Sequence, residues 1–230
     1  MGGFGVKNTI IDKMVQIIAP RLCIKCQKEY DILCECCLND IVNDPFMGCW
    51  RCDWPTFSGI CSQHKDIPID SFWVAALRKD EVKDLLDVYK FSSVKSASKA
   101  MAELLNYRLP VLPAETAIIP VPTKRSSIRS RGFDHTLLLA QELASLRGIQ
   151  VAEIMSVGRS KVQHFLDKDE RANQVKGIFK VIGDFDFNRP VLLLDDIVTT
   201  GATMLEVASV LRQHGAKTVW ATAVAKQPLD

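Results

Sequence analysis

Residues 191–203 read Val-Leu-Leu-Leu-Asp-Asp-Ile-Val-Thr-Thr-Gly-Ala-Thr, an apolar run that ends in two carboxylates and passes directly into a hydroxyl-rich glycine turn. Val191 to Leu194 have the pattern of a strand buried on both faces of a parallel sheet, with Arg189-Pro190 before it. After the turn, Leu205, Ala208, Val210 and Leu211 recur at helical spacing and Gly215 stands where a helix-ending glycine belongs, which predicts a helix over 202–214. Ligands of open α/β sheets bind beyond the carboxyl ends of the strands, so Asp195 and Asp196 are expected to project into a crevice. Thr199, Thr200, Gly201, Ala202 and Thr203 combine threonine hydroxyls with the free N–H groups and positive dipole end of a helix start, a set that suits a phosphate. The carboxylates suit vicinal hydroxyls.

A second loop has related chemistry. Ala117-Ile118-Ile119-Pro120-Val121-Pro122 reads as a short strand, and Lys124, Arg125, Arg129 and Arg131 follow it with no acid among residues 123–131. Leu137, Leu138, Ala140, Leu143 and Ala144, closed by Gly148, predict the helix beyond. Further strands are expected over 71–78, 149–157, 178–182 and 218–225, with a polar flap over 160–176. Val82, Leu85, Leu86 and Tyr89 mark one more helix, and Ala97, Ala100, Met101 and Leu104 another. Alternating strands and helices imply a parallel sheet.

All eight cysteines lie between positions 23 and 61 and none follows in the next 169 residues. Cys23/Cys26, Cys34/Cys37, Cys49/Cys52 and Cys61/His64 are four pairs with the two-residue spacing whose ligands converge on tetrahedral zinc, and Cys36 is left over. Two zinc ions would use every pair and one would leave a pair idle; two is the favoured count, with neighbouring and cross-braced pairing both open. The composition break places a zinc-binding module at 1–66 and an α/β domain at 67–230, joined by a short linker at 65–70. A module this small needs metal to offset its ordering entropy. Ile10, Ile11, Met14, Val15, Ile17 and Ile18 predict a leading amphipathic helix that docks on the protein.

No apolar run reaches the length of a membrane span and no secretory signal is present, which makes a cytoplasmic chain with reduced thiols the expectation. The net charge of +2 shows no global polyanion binder. Trp50, Trp54, Phe57, Phe72 and Trp73, with Arg51 among them, form either a stacking surface for single-stranded nucleic acid or core packing, and core packing is favoured.

The segment 191–203 resembles the 5-phosphoribosyl-1-pyrophosphate (PRPP) signature of type I phosphoribosyltransferases. The resemblance implies that fold, a parallel sheet flanked by helices. It also implies that Asp195 and Asp196 hold ribose hydroxyls, directly or through magnesium, that 199–203 cradle the 5′-phosphate, and that Thr123, Lys124 and Arg125 contact pyrophosphate. Arg129-Ser130-Arg131-Gly132-Phe133-Asp134-His135 narrows this, because it resembles the Arg-Gly-Phe-Asn-Gln box of the ComF family of competence proteins, which includes ComFC- and GntX-type members. Tyr89-Lys90-Phe91, the spacing of Gln163, Leu166, Arg171, Asn173, Gly177 and Phe179, and the paired cysteines are similar to other elements of that family. Two departures stand out: Asp134-His135 replaces Asn-Gln, and His64 occupies a place often held by cysteine.

By that resemblance the chain is expected to act in natural transformation, handling incoming single-stranded DNA, with PRPP as ligand or substrate and a ComFA-type helicase docked through the zinc module. Alternatives are a metabolic phosphoribosyltransferase acting on a nucleobase or related amine, and a non-catalytic PRPP sensor. Lys161 and His164 on the flap are weighed as groups near a reaction centre, but no general base is identified.

Overall fold

A computed structural model describes residues 22–29, 31–91, 95–158 and 177–229. The leading helix expected over residues 10–18 and the flap with Lys161, Gln163, His164, Leu166, Arg171 and Asn173 lie outside the described residues. No described helix is long and apolar enough to cross a membrane.

Five parallel strands form one sheet. In chain order, β1 (Ser71–Leu77) precedes two helices, α2 (Asp80–Phe91) and α3 (Ala97–Arg108), and then β2 (Ala117–Pro120). Next come α4 (Arg125–Arg131), α5 (His135–Arg147), β3 (Gln150–Val151), and a small antiparallel hood of β4 (Met155–Val157) and β5 (Phe179–Val181). The chain returns to the sheet as β6 (Val191–Val198), crosses it as α6 (Ala202–Gln213), and ends with β7 (Val219–Lys226). The spatial order is β1-β7-β6-β2-β3. Helix α1 (Glu35–Val42) belongs to the cysteine-rich segment.

The near-continuous apolar strands reflect burial on both sides, and successive residues face opposite layers. Ile118, Leu192, Leu194 and Val224 enter a core with Leu85, Leu86 and Tyr89 of α2, Met101 and Leu105 of α3, and Leu139 and Leu143 of α5. Ile119, Val191, Leu193 and Ala223 enter the other, with Met204, Val207 and Leu211 of α6 and Phe179 of the hood. From β2 the chain crosses through α5 to β3 on one side. From β6 it crosses through α6 to β7 on the other. The direction of winding therefore reverses between β2 and β6, where a parallel sheet opens a crevice at its carboxyl edge.

One expected strand breaks in two. Residues 149–157 do not form a single core strand: Gln150–Val151 pairs with β2, and Met155–Val157 leaves to build the hood. The Ala152 N–H donates to the Ile118 carbonyl, and the next rung would need an N–H from Pro120, which has none. The loop expected at 123–131 is also partly helical, since α4 begins at Arg125.

The cysteine-rich segment straddles the sheet at its β1 edge. Cys23, Leu33, Cys37, Leu38 and Ile41 join the core that contains α3, whereas Trp50 joins the core that contains α6. The Phe72 N–H donates to the Ser58 carbonyl, so the segment also covers the otherwise open edge of β1.

Candidate functional site

The crevice between β2 and β6 exists because their pairing stops early. The last rung joins Val121 to the Leu194 carbonyl, while β6 continues beside β7 through Asp195, Ile197 and Val198. The strand is thus longer than its apolar run, and both acids lie within it. A cavity of about 460 Å³ opens there, and Thr123, Lys124, Asp195, Asp196, Thr199 and Thr203 of the expected residues line it. Arg125, Thr200, Gly201 and Ala202 are not among the lining residues. Arg125 and Thr200 are exposed, and Gly201, within the loop, is buried against Trp50.

Four cations, Arg78, Lys90, Lys124 and Arg131, line the cavity against two carboxylates, an excess of positive charge that suits a multiply charged anion. The two acids differ. Lys90 Nζ donates to Asp196 Oδ1 at 2.9 Å and forms an ion pair with Oδ2 at 2.8 Å, and His135 Nε2 lies 3.1 Å from Oδ2. Arg131 Nη1 donates to His135 Nδ1 at 2.9 Å, which assigns the ring proton to Nε2 and makes His135 a donor to Asp196. Burial works against charge on Asp196, but the His135 hydrogen bond and the Lys90 ammonium hold its carboxyl below the usual range. Among the described residues, Asp195 accepts only from the Asp196 backbone N–H, at 2.9 Å, and burial beside the Asp196 charge pushes its carboxyl up to about 8. Asp195 is therefore the acid with oxygen lone pairs available to a ligand or a ligand-borne cation, and Asp196 orients the cations around it.

Lys90 and His135 had no site role in the sequence. Their signals were present, as Lys90 follows the buried Tyr89 and His135 opens α5 inside the arginine-glycine box, but nothing local shows that both reach one carboxylate. Tyr89 supports the arrangement by donating to the His135 carbonyl at 2.6 Å. The Asp134-His135 departure acquires a purpose here. Asp134 Oδ1 caps α5 by accepting from the Leu137 N–H and also accepts from Thr123 Oγ1 at 2.9 Å, which ties the β2 loop to the helix start.

The cysteine-rich segment forms two four-ligand clusters, Cys23/Cys26/Cys34/Cys37 and Cys49/Cys52/Cys61/His64, each with its ligand atoms within 4.8 Å of one another. Adjacent pairs join, with no cross-bracing between the two sets. The Cys26–Cys34 and Cys52–Cys61 sulfurs are 3.7 Å apart. A tetrahedral ion with metal–sulfur bonds of about 2.3 Å requires an edge of about 3.8 Å. Burial opposes charge on Cys23, but the N–H groups of Cys26, Cys34 and Lys25 outweigh it and lower the thiol to about 6. Cys49 reaches about 6 likewise, with burial opposed by the N–H groups of Arg51, Cys61 and Cys52 and by His64. Each cluster brings four ligand atoms close enough together that it could hold a metal ion. Cys36 is exposed and outside them.

The aromatic set divides. Trp50, Phe72 and Trp73 are buried, whereas Trp54 and Phe57 are 67% and 84% exposed, and Arg51, between Cys49 and Cys52 of the second cluster, is exposed.

A phosphoribosyl transferase domain model matches residues 139–229, from α5 through the end of β7. Competence protein F of Haemophilus influenzae is 26% identical over 220 residues, covering 87% of this chain and 96% of that protein. The DNA utilization protein YhgH of Escherichia coli O157:H7 is 29% identical over 222 residues, 88% and 96% of the two chains. Competence protein ComFC of Streptococcus pneumoniae is 24% identical over 199 residues, 86% and 84%.

Proposed function

Because the chain belongs to the ComF family of proteins with a phosphoribosyltransferase domain, we propose that it binds magnesium-PRPP in the β2–β6 crevice and works in natural transformation, handling incoming single-stranded DNA in the cytoplasm. The observation that carries the reading is the meeting, at one reversal point of the sheet, of Asp195 with two anion-suited loops and a cationic excess. PRPP has the matching charge order of a 5′-phosphate, vicinal hydroxyls and a pyrophosphate. Thr199 to Thr203 take the 5′-phosphate at the start of α6, and Asp195 faces the ribose hydroxyls or the ion they carry. Thr123, Lys124 and Arg125 approach the pyrophosphate, the last two beside the first turn of α4. Magnesium is held mainly by diphosphate, hydroxyl and water oxygens, as hard cations at phosphate sites are.

Zinc suits the two clusters, since donor sets of four cysteines, or of three cysteines and one histidine, closed at four ligands are structural zinc sites. The surface of this segment is the docking place for a ComFA-type helicase, and exposed Trp54 and Phe57 beside Arg51 provide stacking positions for single-stranded DNA. The names of the relatives, competence and DNA utilization, agree with that use.

Titration calorimetry with PRPP and magnesium tests the pocket, and fluorescence anisotropy with labelled single-stranded DNA over a salt series tests the partner. Saturable PRPP binding and an affinity for DNA that falls with salt are expected. PRPP that fails to bind contradicts the pocket assignment. DNA that fails to bind, alone or with the helicase, contradicts direct DNA handling. Pyrophosphate release on addition of a nucleobase would instead identify a metabolic transferase.

A further inference from the structure

We propose that the Cys49–His64 metal knuckle is the seat of the phosphate loop, so that metal occupancy of this cluster and anion binding at Thr199–Thr203 are thermodynamically coupled, while the Cys23–Cys37 cluster stands outside that coupling. Trp50, between ligands Cys49 and Cys52, is the link. Its ring is 1% exposed and lies directly under Gly201: a Cβ on that glycine would stand 2.2 Å from Cζ3 and 2.4 Å from Cη2 of the indole. Gly201 has φ +70°, so the loop turns through a left-handed residue that any side chain would both strain and drive into the tryptophan.

The indole Nε1 is buried with no hydrogen-bond partner, so packing alone places the ring. That packing is anchored on the knuckle: the Trp50 N–H donates to the Gly59 carbonyl at 2.9 Å, the Cys49 N–H to the Trp54 carbonyl at 2.7 Å, and the Asp53 N–H to the Cys49 carbonyl at 2.9 Å. Phe72 of β1 backs the ring at a centroid separation of 5.2 Å.

A second contact holds the other side of the loop. Lys226, 1% exposed at the end of β7, places Nζ 2.6 Å from the Asp53 carboxylate. Lys226 is in register with Val198, the residue before the loop, and the Gln227 N–H donates to the Val198 carbonyl. The knuckle thus grips the loop at its entry through β7 and at its glycine through Trp50. Releasing the metal frees Cys49, Cys52 and the backbone between them, and with it the indole that supplies the three atoms nearest to a Cβ at Gly201. The Cys23 cluster packs into the opposite core and has no comparable route among the described residues.

The identity of the anion rests on the PRPP reading, but the coupling does not, and two readouts on the full chain with both clusters loaded with zinc separate them. The first needs no ligand. Amide hydrogen exchange at residues 199–205 is compared among wild type, Trp50→Phe, Trp50→Ala and Cys49→Ser/Cys61→Ser, with zinc content measured in each. Exchange about tenfold faster in Trp50→Ala, with both zinc equivalents retained and with near wild-type protection in Trp50→Phe, is expected.

The second uses reciprocity, since an anion that the metal helps to bind must in turn retain the metal. Zinc release to a chelator is followed with and without magnesium-PRPP, and only one of the two equivalents is expected to leave about tenfold more slowly. Unchanged loop exchange in both Trp50→Ala and Cys49→Ser/Cys61→Ser overturns the proposal, as does equal protection of both equivalents. Loop exchange that responds while PRPP neither binds nor retains zinc leaves the coupling standing and removes the PRPP reading.

Discussion

Lys90 Nζ and Asp196 Oδ2 are 2.8 Å apart, across 106 positions of sequence, and the pair closes one side of the crevice with His135 as a third member. The carboxylate is 4% exposed. Replacing Asp196 by Asn leaves the partly buried Lys90 ammonium without its counter-charge, and the cost is expected to be at most about 3 kcal/mol, the figure for breaking a fully buried pair. Thermal or urea unfolding of Asp196→Asn should show that loss. Lys90→Met with Asp196→Leu should recover much of it, because removing both charges together restores an apolar contact.

The two acids give opposite pH responses. The Asp196 carboxyl is lowered by His135 and Lys90, so its stabilisation is complete above the unfolded carboxylate range and is lost as pH falls through the folded value. The Asp195 carboxyl is raised to about 8, so the folded state keeps a proton that the unfolded state releases, and stability declines as pH rises from the carboxylate range towards 8. Melting curves between about pH 5 and about pH 8 should slope downward in the wild type and flatten in Asp195→Asn. Magnesium-PRPP needs the charged form, so its affinity should rise over the same window.

Asp195→Asn combined with Asp196→Asn is expected to abolish PRPP binding while zinc analysis still returns two equivalents, because neither acid is a cluster ligand. Calorimetry and metal analysis on one preparation check both halves. PRPP affinity unaltered in that double variant would refute the assignment of the crevice.

The Thr123–Asp134 hydrogen bond joins the β2 loop to the cap of α5. Asp134→Ala removes the cap and should cost about 1 kcal/mol. A cycle with Thr123→Val should show coupling of about 0.5–1 kcal/mol or more, since the two groups share one oxygen. Additive effects would show that the loop and helix start are independent.

Trp54→Ala and Phe57→Ala should each weaken single-stranded DNA binding by about 1–3 kcal/mol without changing zinc content, since both rings are exposed and neither residue is a ligand. Anisotropy at fixed salt measures it. Equal affinity in the double variant would place the DNA elsewhere.

Much of the site was legible because its signals are local. A two-residue ligand spacing, an apolar run, an acid pair and a glycine turn are each set by neighbours in the chain, and they sufficed to locate β6, α6, the β2 loop and the eight side chains that gather into two clusters able to hold a metal ion. The flanks of the strands were less legible: nothing within residues 149–157 announces a break, because its cause, the missing N–H of Pro120, lies on the neighbouring strand.

By itself, then, the sequence determined the chemistry available to this protein: four ligand pairs, one acid pair and two loops suited to anions. Only the tertiary structure decided how these divide their work. It paired adjacent ligands into two clusters and left Asp195 available while Lys90 and His135 engaged Asp196. It also set Trp50 of one cluster beneath Gly201 of the other motif. The physical reason is that spacing along a chain fixes which groups share a turn or a strand, whereas charge pairing and close packing depend on distances between segments that only the folded sheet brings together.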